Sequence, residues 1–161
     1  MDLPMNIHDI ERLKFDGTWC IDDVTVKCAR PEPIRVIFST DEFWNEKHTT
    51  WAALPPVKNQ LEILRHVCSL RKDFLKRNRK LIQRECSTVM EDTDYGEPLD
   101  IDIQKIEKYY SVDHIYIPRV SRSGILNFVI MADCVWEDEH GLGIQCRGDK
   151  VIKVGKQHDF F

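Results

Sequence analysis

Residues 57–86 read VKNQLEILRHVCSLRKDFLKRNRKLIQREC and carry the clearest secondary-structure signal in the chain. Apolar side chains recur every three to four positions, which is the spacing of an amphipathic helix. Pro55 and Pro56 stand just before the run and suit a helix start, where a missing N–H does no harm. No glycine or proline interrupts the run. The sequence therefore predicts one long helix, or two consecutive helices with a bend near Arg71.

Short runs of β-branched and aromatic residues lie on both sides of this helical region, and turn residues separate them. A short helix or turn is also predicted around residues 103–110. The order of strands, helix and strands predicts an α+β fold, a mainly antiparallel sheet with the helix or helices packed on one face. The predicted strands cover residues 18–21, 24–28, 34–38, 114–117, 125–132, 142–146 and 151–154.

The chain has 161 residues, of which 42% are hydrophobic and 31% charged, and its formal net charge is −4. This composition is typical of globular proteins and excludes a disordered or fibrous class. We expect a single domain spanning residues 1–161. Its predicted parts are a β-rich region over 1–56, the helical region over 57–86, an acidic linker over 87–100 and strands over 101–161.

Six cysteines are present, but the N-terminus has neither the basic nor the apolar region of a secretory signal. No run of 18 apolar residues exists, so no membrane span is expected. We therefore expect a cytoplasmic protein with reduced thiols. CxxC, HExxH, GxGxxG, GxxxxGK[ST] and GxSxG motifs are absent, so neither a metal nor a cofactor is expected.

Near the C-terminus, residues 134–144 read CVWEDEHGLGI and residues 148–159 read GDKVIKVGKQHD. This segment resembles a bacterial family of uncharacterised domains with the motif W-D-x-E-H-G-L-G, a hairpin and then V-G-x-x-D. Glu137 stands where that family usually has aspartate. The matching motif residues are Trp136, Glu139, His140, Gly141, Gly143 and Gly155.

Members of that family and its relatives look like immunity proteins of polymorphic toxin and contact-dependent inhibition systems. The resemblance implies a binding protein without catalytic activity, which neutralises a cognate toxin C-terminal domain by covering its active site. A nuclease is one toxin of this kind. The resemblance implies no catalytic residue and no cofactor.

The motif itself has a structural interpretation and a chemical one. As structure, Trp136 ends a strand, residues 137–139 form a short helical turn, Gly141 supplies a positive-φ exit and Gly143 allows close packing. Glu139 and His140 would then bind free amides of the turn. As chemistry, Glu139 and His140 form an acid–base pair with Asp159 or His158. A cation site from the acidic residues lacks EF-hand spacing.

The net charge conceals two opposite blocks. Residues 57–86 carry a net charge of +6, and residues 87–113 carry −6. One interpretation is that the acidic segment folds over the basic helix face and neutralises it. The other is that a block serves as a docking surface.

An acidic surface would attract a basic nuclease toxin, so the acidic block is the preferred candidate for toxin binding. Trp44 and Trp51 are further candidates, because tryptophan is enriched in binding hot spots. The basic block could instead contact RNA or an acidic partner, but direct nucleic-acid binding is not expected. The rival functions are a small enzyme that uses Glu139 and His140, and a structural or regulatory module. The acidic candidates are Asp92, Asp94, Glu97, Asp100 and Asp102.

Overall fold

The computed structural model describes residues 12–39, 56–91, 100–119 and 126–160. Within these residues, seven strands form one sheet, in which their spatial order is their order along the chain. Each neighbouring pair is antiparallel except β3 and β4, which are parallel. A mainly antiparallel α+β fold is thus confirmed. The strands are β1 Lys14–Phe15, β2 Trp19–Val24, β3 Ile34–Phe38, β4 Tyr110–Ile117, β5 Asn127–Cys134, β6 Leu142–Arg147 and β7 Lys150–Gly155.

Helices α1 (Lys58–Ser69), α2 (Phe74–Arg77) and α3 (Lys80–Glu91) lie between β3 and β4. They belong to the long crossover connection that a parallel strand pair requires. A first 3₁₀ helix, Ile103–Lys108, precedes β4 and confirms the predicted short helix or turn. A second, Gln157–Phe160, follows β7. In the described part of the chain, no helix has the length and apolar character needed to cross a membrane.

The helical region is broken in two places, so a continuous helix over residues 57–86 is wrong. The first break begins at Leu70, whose ψ of 140° is extended, beside the predicted bend at Arg71. At the second break, Asn78 Nδ2 donates to the Phe74 carbonyl at 2.8 Å. Such a local side-chain bond competes with helix continuation. Since α3 continues to Glu91, residues 87–91 are helical and do not belong to a linker.

The strand predicted over residues 24–28 is also wrong. β2 ends at Val24, and the Ala29 N–H donates to the Val26 carbonyl at 2.9 Å, which forms a turn. The pairing of β2 with β3 shifts register between Ile21 and Val24, and Asp23 there has a φ of 58°. Because of this irregularity, the chain after Val24 does not continue as a regular strand.

One hydrophobic cluster contains buried residues of the helices and of the sheet. Its members alternate along the strands, as Ile34, Val36 and Phe38 do along β3. Helix α1 contributes Ile63 and α3 contributes Ile82, and both are fully buried.

Gln60 ties the start of α1 to the ends of the parallel strands. Its side chain is completely buried. Oε1 accepts from the Val57 N–H at 3.0 Å, while Nε2 donates to the carbonyls of Ser39 and Ile117 at 2.9 and 3.2 Å. The amide therefore satisfies backbone groups of three elements, which fixes where the crossover begins.

Candidate functional site

The C-terminal motif folds as a turn between β5 and β6. β5 ends at Cys134, so Trp136 follows the strand and does not end it; its side chain is buried. The Gly141 N–H donates to the Glu137 carbonyl at 3.0 Å, which closes one helical turn. Gly141 then leaves the turn with a φ of +64°, as predicted.

The second 3₁₀ helix packs directly onto glycine backbone. A Cβ atom at Gly143 would lie 2.3 Å from Phe160 Cδ2, and one at Gly155 would lie 2.8 Å from Asp159 Oδ2. The predicted close packing at Gly143 is confirmed. Asp159 Oδ2 also accepts from the Lys156 N–H at 3.1 Å. Gly155 and Asp159, which three residues separate in this chain, therefore help to fold the chain back so that the 3₁₀ helix lies over β5 and β6.

Gln157 joins this 3₁₀ helix to the motif turn. Its N–H donates to the His140 carbonyl at 3.2 Å, and its Nε2 donates to the Ala132 carbonyl at 2.9 Å. A Cβ atom at Gly141 would come within 2.5 Å of that Nε2 atom. The glycine is needed both for its φ and for the room that Gln157 occupies.

The carboxylate of Glu137 is the buried charge of the motif, and its side chain is only 3% exposed. Oε1 accepts from the His140 N–H at 3.3 Å and lies 3.1 Å from His140 Nδ1, while Oε2 lies 3.4 Å from Lys156 Nζ. Burial pushes the pKa of Glu137 up, but the hydrogen bonds from His140 and the Lys156 charge outweigh it and lower the pKa. The partner of His140 is therefore Glu137, whereas Glu139 is exposed.

Further titratable groups surround this pair. The rings of His140 and His158 meet edge to face with centroids 5.1 Å apart, and His158 Nε2 lies 3.4 Å from Asp159 Oδ1. Burial, followed by the Asp159 carboxylate, raises the pKa of Glu85 on α3. In the described residues, no three metal-binding side chains are arranged to hold a metal ion.

The chemistry of this arrangement depends on His140. Glu137 holds Nδ1, so a neutral His140 that donates from Nδ1 presents Nε2 as an acceptor. This is the orientation that a carboxylate gives to a histidine in acid–base catalysis. The same bonds also stabilise the turn, since the Glu137 carboxylate accepts a hydrogen bond from the His140 N–H.

Only part of the predicted toxin-binding set can be located. Asp100 and Asp102 are exposed at the entrance to the first 3₁₀ helix. Asp102 Oδ1 accepts from the Gln104 N–H at 3.1 Å, which fixes its side chain as the helix cap. The remaining candidates, Trp44, Trp51, Asp92, Asp94 and Glu97, lie outside the described residues.

The described residues also show how the two charge blocks meet. Arg79 Nη1 lies 3.5 Å from Glu107 Oε1 and donates to the Gln104 carbonyl at 3.1 Å. Among the described residues, neither Asp100 nor Asp102 forms an ion pair. Gln83 Nε2 also donates to the Ile103 carbonyl at 2.9 Å, so the blocks are in contact there, but in the described residues their charges pair only at Arg79 and Glu107.

A cleft of about 560 Å³ lies between the α1–α2 turn and the β6–β7 hairpin. We call it the basic cleft, because three cations and two carboxylates line it. Sequence reasoning missed it, since its two sides come from distant parts of the chain. The lining residues are Ser69, Leu70, Arg71, Asp73, Phe74, Arg77, Asn78, Asp149 and Lys150.

Comparison with known proteins places the chain in a family without assigning it an activity. A family model described as a domain of unknown function, DUF6985, matches residues 9–161. No curated protein and no solved structure matches the chain. The family model says nothing of immunity, so that part of the resemblance stays a prediction. Because the match spans nearly all of the sequence, the chain belongs to the DUF6985 family.

Proposed function

We propose that this protein is a cytoplasmic immunity protein, which binds a cognate toxin domain and holds it inactive by covering the toxin's active site. The proposal starts from the resemblance of the C-terminal motif to families of this kind. It assigns the chain a binding role, in which no bond of the toxin is made or broken.

The observation that carries the proposal is the separation of the two charge blocks. Asp100 and Asp102 remain exposed, and Arg79 with Glu107 is the ion pair that joins the blocks in the described residues. Exposed charge of one sign steers association with a surface of the opposite sign. A nuclease toxin needs a positively charged active site to hold its polyanionic substrate. An acidic surface on this chain would compete with the substrate for that site.

We also propose that α1 and α3 cover one face of the sheet. The supporting observation is that Ile63 and Ile82 share a buried cluster with Val36 and Ile115, which point to the same side of β3 and β4. The acidic entrance to the first 3₁₀ helix would then lie at the edge of this helical layer, where a partner can reach it.

The test is coexpression with the toxin domain encoded next to this gene, followed by purification of the complex. We expect the wild-type chain to restore growth and to copurify with the toxin. Asp100→Asn with Asp102→Asn should slow toxin association and weaken its salt dependence, because asparagine keeps the helix cap but removes the charge.

Asp138→Asn with Glu139→Asn is the matched control, since it removes two exposed charges at the motif turn. If the control slows association as much as the test variant, the effect is one of net charge alone. Absence of both rescue and a complex would refute the immunity function.

A second candidate, an enzyme, is favoured by one observation: Glu137 orients His140 through Nδ1 at 3.1 Å. His140→Ala separates the two functions. An enzyme that acts on the toxin or its product would lose protection while the complex still formed. A binding protein would keep protection as long as it kept the complex.

A further inference from the structure

We propose that the basic cleft is a docking site for an acidic segment of a partner protein. This surface carries charge opposite to that of the acidic surface considered above, and it lies between other elements. The inference therefore does not rest on the immunity function, and either can fail without the other.

The first argument is that most of the cations of the cleft have no carboxylate partner. Asp73 Oδ1 lies 3.6 Å from Arg71 Nε, and Asp149 Oδ1 lies 3.5 Å from His66 Nε2. Within the described part of the chain, no ion pair is formed by Lys72, Lys76, Arg77, Lys80 or Lys150.

These free cations lie in and beside the cleft. Arg77 and Lys150 line it from opposite sides, one from α2 and one from the start of β7. Lys72 and Lys76 are exposed next to the lining residues in the same α1–α2 segment. Like charges that line one cleft repel one another, and a bound polyanion relieves that repulsion.

The second argument concerns the chemistry of the ligand. The carboxylates of Asp73 and Asp149 line the cleft beside its cations, and their side chains are 45% and 84% exposed. A peptide backbone brings N–H donors between its acidic side chains, so one segment can bind the cations and also donate to the exposed parts of these carboxylates.

A nucleic acid fits the cleft less well. Its phosphates follow one another without a break, so some would face Asp73 and Asp149. The aromatic residue of the lining, Phe74, is 5% exposed and offers almost no ring surface for a base to stack on. These features favour an acidic protein segment, and a volume of about 560 Å³ holds several side chains of it.

The experiment measures fluorescence anisotropy of a labelled ten-residue peptide of alternating glutamate and glycine as the full chain is added. We expect binding at low salt that weakens as salt is raised. Arg77→Glu with Lys150→Glu should weaken it at least about tenfold, since both sides of the cleft then repel the peptide. Circular dichroism establishes that the variant is folded.

Lys27→Glu with Lys108→Glu is the matched control. It makes the same change in net charge at exposed positions near the opposite ends of the strands from the β6–β7 hairpin. Binding should stay within about twofold of wild type. Equal loss in both variants, no peptide binding at low salt, or tighter binding of a ten-residue oligothymidylate would each overturn the proposal.

Discussion

The motif turn with its following 3₁₀ helix, residues 134–160, and the helical segment over residues 69–84 both concentrate charged side chains, but they use them differently. In the first, Glu137 is buried and faces His140 and Lys156. In the second, Lys76 and Arg77 are exposed and have no ion pair in the described residues.

This difference separates charges that hold the fold together from charges that remain available to a partner. A buried carboxylate persists only when hydrogen bonds and opposite charge offset its desolvation. Unpaired surface cations contribute almost nothing to stability. Substitutions in the first region should therefore change unfolding, and substitutions in the second should change binding.

The largest effect is expected for Gly141→Ala, with a loss of about 3 kcal/mol in the free energy of unfolding. The new Cβ atom meets Gln157 Nε2 at 2.5 Å and the Ala132 carbonyl oxygen at 3.0 Å, at a φ of +64°. Urea denaturation followed by circular dichroism measures the loss.

Gly148→Ala is the control for backbone strain, because Gly148 has a φ of +57° and nothing within 4 Å of the new Cβ atom. It should cost only about 1 kcal/mol. Equal costs at the two positions would show that the contact between the 3₁₀ helix and the motif turn contributes nothing.

The next effect is the loss of the Glu137 charge. Glu137→Gln should lower the free energy of unfolding by about 2 kcal/mol at neutral pH, because charged hydrogen bonds to His140 become neutral ones. The folded pKa of Glu137 is depressed, so its contribution is present above the ordinary value of 4.5 and is lost as pH falls through the folded pKa.

Urea titrations of wild type and variant from pH 7 to pH 3 measure this difference. Comparing the two proteins at each pH removes the contribution of Glu85, whose raised pKa is common to both. Glu139→Gln is the matched control, and since Glu139 is exposed it should behave like wild type. If the difference in unfolding free energy between wild type and Glu137→Gln did not shrink as the pH falls, the Glu137 charge would be excluded as its cause.

A smaller effect is expected where the two charge blocks touch. Arg79 and Glu107 are each 30% exposed in their side chains and lie 3.5 Å apart. A double-mutant cycle with Arg79→Ala and Glu107→Ala should give a coupling energy below about 1 kcal/mol. A larger value would mean that the charge blocks stabilise each other and are not free for partners.

Periodicity predicted the elements whose cause is local. The strands near residues 34–38, 142–146 and 151–154 follow from short runs of apolar and β-branched residues between turn residues, and the helical region follows from its apolar spacing. The positive φ of Gly141 could also be predicted, since glycine after a helical turn commonly adopts it.

The errors arise from interactions between distant residues or from competing local bonds. The break at Asn78 depends on a side-chain bond to Phe74, which apolar spacing does not reveal. The burial of Glu137 depends on Lys156, which is distant in sequence but lies beside the carboxylate in the folded chain. Adjacency in sequence suggested Glu139 as the partner of His140, but the helical turn brings Glu137 there. The sequence did offer a signal for the correct pair, since residues three apart, such as Glu137 and His140, lie side by side on a helical turn.

The smallest effect is expected in the helical segment. Lys76→Ala with Lys80→Ala removes two exposed cations without ion pairs among the described residues. The free energy of unfolding should change by less than about 0.5 kcal/mol in urea denaturation, because alanine suits a helix and no ion pair is lost. The same variant should bind the acidic peptide more weakly than wild type. A loss of stability above about 1 kcal/mol would place these lysines with Glu137 among the charges that hold the fold, and would remove the distinction between the two regions.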